Sequence, residues 1–366
     1  MFLDNPNKNF SLGLTTFALI SIEKNLKMHS NKTGVLLLQL GTPNSPSTSD
    51  VRKYLREFLM DERVIDVPYL LRQILVNGII ANFRAPKSAK LYKEIWTSEG
   101  SPLLIYGKQV EKELQHKLGN DYVVELGMRY QQPSMRDSLE RFRAAKIDKL
   151  ILLPLYPQYA SSSTGSSLQL AFETIAKWNV MPEVSALSSY YNHPDYIRLW
   201  AEKGKAMNDG SFDAFMFTFH GVPWRHIRRT ECGGNCQKGP QECPAINAQN
   251  HVCYRAQCFE NARAVRDAAG LDPQKTYINF QSRLGKDPWL TPYTDETLIR
   301  LAKEGKKRIL VFSPSFTADC LETIHEVGAE YNELFQEHGG EKLVLVPSMN
   351  CDSDWIQFLQ DRVLEK

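Results

Sequence analysis

No apolar run in this 366-residue sequence reaches the ~18 residues that a membrane-crossing helix requires. No Gly-x-Gly-x-x-Gly follows any strand-like segment and no Gly-Lys-Ser/Thr phosphate loop occurs, so the usual nucleotide fingerprints are missing. Charge of one sign is scarce too. A net charge of +2 with 23% charged residues argues against a nucleic-acid surface and against a disordered charged tail. Cysteine is thin outside one stretch: five of the seven fall between Cys232 and Cys258. The 10–22 stretch is apolar, but one Lys balances one Asp ahead of it and no small-residue cleavage site follows. Residues 1–28 are therefore read as an extension before the first strand, with Met28 a natural start. An odd, clustered cysteine set in a chain without a secretory signal argues for a metal or cluster site over a disulfide framework.

What is present is a repeated alternation. Short buried runs read as strands at 35–40, 122–130, 149–157 and 184–190, and again at 214–219, 277–282, 308–312 and 342–346. Helical patterns separate them, as at 51–59, where Val51, Tyr54, Leu55, Phe58 and Leu59 recur at helical spacing behind Ser47, Thr48 or Ser49 as cap. The strand endings repeat in order: Gly-Thr-Pro answers His-Gly-Val-Pro, and Arg129 at the end of the second strand answers Arg283 after the sixth. Strands alternating with helices imply parallel sheets. The expected fold class is α/β, with two Rossmann-like lobes, each a four-stranded parallel sheet flanked by helices, facing across a cleft. The expected division is 29–195, 196–350 with a cysteine-rich loop at 230–258, and a C-terminal helix at 351–366.

Three features carry chemistry. His220 ends the strand at 214–219, at the carboxyl edge where open α/β sheets place ligands. Asp319, Glu322, Glu326 and Glu330 follow the seventh strand at spacings that line one helix face. By the internal repeat, His220 and Glu322 leave neighbouring strands of one lobe, and imidazole facing carboxylate makes an open site for a divalent metal. The cysteines follow Cys232-x3-Cys236-x6-Cys243-x9-Cys253-x4-Cys258, a spacing compatible with zinc or with an iron–sulfur cluster. Cys320 and Cys351 read as small buried apolar residues. The 64–83 stretch, with only Asp66 and Arg72 charged, has two readings: a core helix broken near Gly78, or an exposed apolar lip for a hydrophobic ligand or a membrane surface.

The segments LLLQLGTP (36–43), EGSPL (99–103), GMRY (127–130), PQYASSSTGSS (157–167), FTFHGVP (217–223), QSRLGKDPWLTPYTDETL (281–298) and SFTADCLETIHEVGAEY (315–331) together resemble the ferrochelatases. That resemblance implies a chelatase-like fold and insertion of Fe²⁺ into a porphyrin, protoporphyrin IX or else coproporphyrin III, as the last step of haem synthesis. It implies His220 and Glu322 as the metal and catalytic pair, and Asp319, Glu326 and Glu330 as a metal relay. Arg129, Tyr130, Ser101, Tyr159 and Trp289 become the porphyrin contacts. A cysteine-rich loop ending in CYRAQC resembles the [2Fe–2S] loop of some bacterial members and implies Cys236, Cys243, Cys253 and Cys258 as ligands, leaving Cys232 spare. A cytoplasmic protein touching the inner membrane through 64–83 is the matching expectation. Another divalent-metal chelatase, a redox protein built on the cluster, and a non-catalytic porphyrin carrier are the rival classes.

Overall fold

The computed structural model describes residues 32–230, 243–285 and 287–366. β1 (Thr33–Gly41), β2 (Tyr122–Tyr130), β3 (Lys149–Pro154) and β4 (Glu183–Ala186) form a parallel sheet in the order β2-β1-β3-β4. β5 (Ala214–His220), β6 (Thr276–Gln281), β7 (Arg308–Phe312) and β8 (Lys342–Leu345) form a second in the order β6-β5-β7-β8. The two orders are the same pattern, so the repeat in the strand endings is a repeat of topology. In each sheet the chain steps from its first strand to one side and then reverses to the other. The reversal leaves a crevice at the carboxyl ends of β1/β3 and β5/β7, where such sheets take ligands.

The helices of the first half are α1 (Thr48–Leu59), α2 (Tyr69–Gln73), α3 (Ala81–Ile95), α4 (Pro102–Leu118), α5 (Met135–Ala145) and α6 (Ser166–Ile175). Those after β4 are α7 (Pro194–Met207), α8 (Trp224–Arg228), α9 (Tyr254–Ala269), α10 (Thr294–Lys303), α11 (Tyr331–Glu337) and α12 (Ser353–Leu364). Ser47 caps α1 by accepting from the Asp50 amide at 3.2 Å, and Pro102 opens α4 directly after Ser101.

Alternation along the strands decides which core each side chain joins. Val35 and Leu37 of β1 share one apolar body with Phe215, Phe217 and Phe219 of β5, together with Phe312, Trp200 and Trp355. Leu36 and Leu38 turn instead to a separate core under α5 and α6, and Ala214 and Met216 to one under α10 and α11. Each large side chain buried in these cores contributes ~2 kcal/mol over exposure. The two sheets are thus fused through their inner faces, which fixes the cleft between their carboxyl ends.

The 64–83 stretch is not broken at Gly78. It runs through α2, a π-helical segment Ile74–Ile80 that contains Gly78, and into α3. Val76 is buried, whereas Tyr69, Leu70, Leu71, Ile74, Ile79 and Phe83 are exposed. The stretch is therefore an exposed apolar lip anchored on its inner side. No described helix is long and apolar enough to cross a membrane.

Candidate active site

His220 is the last residue of β5, opposite Gln281 of β6. Its Nδ1 lies 2.7 Å from the Gly221 carbonyl. A carbonyl only accepts, so Nδ1 carries the proton and Nε2 is left with its lone pair. The turn behind it is tight. The Gly221 amide donates to the Gln281 carbonyl at 2.7 Å, and a Cβ on Gly221 would meet that oxygen at 3.0 Å and the Ser282 carbonyl at 3.1 Å. Trp289 packs beside the imidazole with ring centres 6.5 Å apart, and its indole donates to the Leu284 carbonyl at 2.9 Å.

The carboxylate run departs from the expected α-helix. A π-helical segment spans Glu322–Glu330, and Asp319 lies ahead of it. Asp319 accepts from Thr323 Oγ1 at 3.0 Å, the Ser348 amide at 3.3 Å and Asn350 Nδ2 at 2.8 Å, which ties the start of the segment to the loop after β8. Glu322 points the other way and accepts from the Cys320 thiol at 3.1 Å. Burial raises the Tyr54 and Tyr92 phenols well above their usual range, and Glu322 adds to both shifts, so the two phenols wall its carboxylate. Glu326 accepts from Ser282 Oγ at 2.5 Å and Tyr331 Oη at 3.0 Å. Burial raises its proton affinity and Glu322 adds to the rise, while the Ser282 bond and the His220 ring, once it holds a second proton, oppose it. Glu326 is therefore the carboxylate that feels both His220 and Glu322. A cavity of about 310 Å³ opens beyond it, with Glu330, Arg283 and Tyr293 in its wall. His325 faces away from this line, 2.8 Å from Glu94 of α3.

Arg129 and Tyr130 close the opposite wall. Both hold Asp61, through Arg129 Nη2 at 2.5 Å and Tyr130 Oη at 2.9 Å, and Ser166 donates to the same oxygen. Burial alone would raise the Asp61 carboxyl, but donation from Ser166, the Arg63 amide and Arg129 outweighs it and holds Asp61 below the usual range. Tyr130 and Ser101 are buried, Ser101 accepting from Thr42 Oγ1 at 2.9 Å, so both shape the wall from beneath. Tyr159 and Trp289 are half-buried.

Several residues packed around these walls carry little signal in the sequence. Arg84 lies one residue past the apolar stretch, exposed on α3 with the Tyr54 and Tyr92 phenols close to it. A cation ending an apolar run was the available signal. Asp66 meets Arg225 Nε and Arg229 Nη1, each at 2.6 Å, and pins the lip to α8 just behind His220. Asp61 and Ser166 came from unremarkable positions of a helix end and a hydroxyl-rich loop.

Among the cysteines, Cys232 and Cys236 lie outside the described residues. Cys243, Cys253 and Cys258 are buried. Burial pushes the Cys258 thiol up and both Cys253 and Cys243 push it further, so the three thiols share one low-polarity neighbourhood. The described residues by themselves contain no group of three metal-ligating side chains arranged around an ion.

A family model described as Ferrochelatase matches residues 32–366. The chain is 43% identical over 329 residues to a ferrochelatase of Coxiella burnetii (strain Dugway 5J108-111), covering 90% of this chain and 92% of that protein. It is 41% identical over 335 residues to a ferrochelatase of Legionella pneumophila (strain Philadelphia 1), covering 92% and 99%. Among solved structures, SirB from Bacillus subtilis with Fe³⁺ aligns with a TM-score of 0.50 at 10% identity, over 91% of this chain and 95% of that one, a likeness of fold.

Proposed function

The chain belongs to the ferrochelatase family, and on that premise we propose that His220 accepts the porphyrin's inner protons while Glu322 presents the iron. The enzyme is a lyase of haem synthesis that inserts ferrous iron into a porphyrin. The reaction replaces two N–H protons with one dication, so charge balances only if both protons leave. The observation that carries the assignment is the His220 tautomer: with Nδ1 committed to the Gly221 carbonyl, Nε2 is a neutral acceptor. Glu326, which responds to both His220 and Glu322 and is raised by burial, is suited to take a proton onward toward Glu330 and the adjoining cavity. Imidazole with carboxylate replaces part of the iron's hydration shell without holding it as tightly as a closed site would. Arg129, Tyr159 and Trp289 contact the macrocycle, and Tyr130 and Ser101 support that wall. Asp319 belongs to the relay as the anchor of its first turn. The test is anaerobic insertion at saturating Fe²⁺: His220→Ala and Glu322→Gln each lose at least ~100-fold in kcat. Near-normal turnover by either variant refutes its assignment.

The exposed lip supports two finer assignments. Its apolar side chains suit the vinyl-bearing edge of protoporphyrin IX better than the additional carboxylates of coproporphyrin III. They also fit peripheral contact with a bilayer, through which a hydrophobic porphyrin would be delivered. Competition between the two porphyrins in the insertion assay tests the first. Flotation with phospholipid vesicles tests the second, where a Leu70→Ser, Leu71→Ser, Ile74→Ser variant is expected to lose association; unchanged flotation rejects it.

A [2Fe–2S] cluster on Cys236, Cys243, Cys253 and Cys258 is the assignment we favour for the thiols. Its support is the convergence of Cys243, Cys253 and Cys258 in one buried neighbourhood, a donor set of sulfur alone. Bound there, the cluster would cross-link the loop to α9 and accept single electrons. A colourless, iron-free protein after anaerobic purification rules it out, and zinc in its place identifies a structural zinc site.

A further inference from the structure

The first turn of α9 touches both walls of the cleft. Tyr254, Gln257 and Cys258 occupy positions i, i+3 and i+4 and so share one helix face, with Cys253 immediately before the helix. Tyr254 Oη donates to the His220 carbonyl at 2.8 Å. Gln257 Oε1 accepts the Tyr159 amide at 2.7 Å, and its Nε2 donates to the His251 carbonyl at 2.7 Å. Tyr254 Oη also lies 3.5 Å from Ser315 Oγ, which donates to Gln158 Oε1 at 3.0 Å in the opposite wall. These side chains are buried: Tyr254 is 7% exposed, Gln257 2% and Cys258 0%.

We propose that Tyr254 and Gln257 are positioning residues for iron insertion, Tyr254 fixing the backbone of His220 and Gln257 that of Tyr159. The proposal rests on the reading of His220 as proton acceptor. A phenol has one proton to give, and Tyr254 gives it to the His220 carbonyl, which holds the end of β5 and the turn behind the imidazole.

Tyr254→Phe keeps the ring and removes only the hydroxyl. We expect kcat to fall about tenfold, as for loss of one buried hydrogen bond, with the porphyrin KM and the thermal midpoint nearly unchanged. Gln257→Leu instead raises the porphyrin Kd, measured by fluorescence without iron, about fivefold, with kcat at saturating porphyrin nearly unchanged. A normal kcat for Tyr254→Phe, or an unchanged porphyrin Kd for Gln257→Leu, overturns the proposal. A His220→Ala protein that still inserts iron would instead overturn the reading beneath it.

Discussion

Asp61 offers the sharpest test of how the wall that carries Arg129 and Tyr130 is held. Its side chain is 4% exposed and accepts from Arg129, Tyr130 and Ser166 through Oδ2, and from the Arg63 amide through Oδ1 at 2.8 Å. In Asp61→Ala those donors lose their acceptor at once. Removing one member of a buried ion pair costs ~3–5 kcal/mol, and because Arg129 is 19% exposed and keeps Ser166 at 2.7 Å, the low end, about 3 kcal/mol, is expected. Asp61→Asn is informative because its shape is right and its donor count is wrong. With the amide oxygen in the Oδ2 position, the NH₂ faces the Arg63 N–H, donor against donor; the flipped amide opposes Arg129 instead. About 2 kcal/mol is therefore lost, not recovered.

The midpoint of denaturant unfolding measures the loss, and iron-free porphyrin binding measures its consequence for Arg129. We expect Kd to rise about fivefold in Asp61→Asn. The sign with pH is fixed by the lowered carboxyl of Asp61 in the folded state. Its stabilisation is fully present above the unfolded carboxylate pKa and is lost as pH falls through the folded value, so wild type and Asp61→Asn converge in acid. An Asp61→Ala cost below ~1 kcal/mol, or strict additivity with Arg129→Ala, would refute the reasoning.

Three other outcomes follow from the geometry. Gly221→Ala drives a Cβ to within 3.0 Å and 3.1 Å of two backbone carbonyls and 3.3 Å of Trp289, so the end of β6 must yield; ~1–3 kcal/mol of stability and a matching loss of kcat are expected in thermal and insertion assays. Arg84→Gln, which removes the guanidinium beside Tyr54 and Tyr92, should raise the porphyrin Kd several-fold, about 1 kcal/mol, while leaving iron saturation unchanged. Burial lowers the His226 imidazole, with Arg225 and Arg229 adding to the effect and Asp66 opposing it. The unfolded chain then binds the proton first as pH falls below 6.5, so stability drops there, and His226→Gln should flatten the thermal midpoint between about pH 7.5 and pH 5.5.

The strands were legible because fully buried parallel strands are uninterrupted apolar runs, and because the residues that end them are chosen for the turn and the site together. His-Gly-Val-Pro is such an ending: the histidine belongs to the cleft and the glycine to the approach of β6. The Asp66 contact with Arg225 was not legible, since a carboxylate and a guanidinium 159 residues apart advertise nothing about meeting. Tyr254 was hidden for a different reason. Its neighbours Cys253 and Cys258 explain the CYRAQC segment so fully that the aromatic between them looks incidental, and only the fold brings its hydroxyl to the carbonyl of His220.

The carboxylate run shows where spacing and geometry part. Residues four apart face the same way closely enough in a helix of either kind, so Glu322, Glu326 and Glu330 read as one stripe from spacing alone. The wider ring of the π-helix is invisible in that spacing, and π segments concentrate at functional sites. Asp319 fits the stripe on paper at i−3 from Glu322, yet its three donors hold it against Thr323, Ser348 and Asn350. The four carboxylates thus divide by task. One anchors the segment to the loop after β8, and three face the cleft and its cavity. The anchor matters most at the start of the segment, where Glu322 stands close enough to Glu326 to raise its carboxyl and Asp319 fixes the turn from which Glu322 projects.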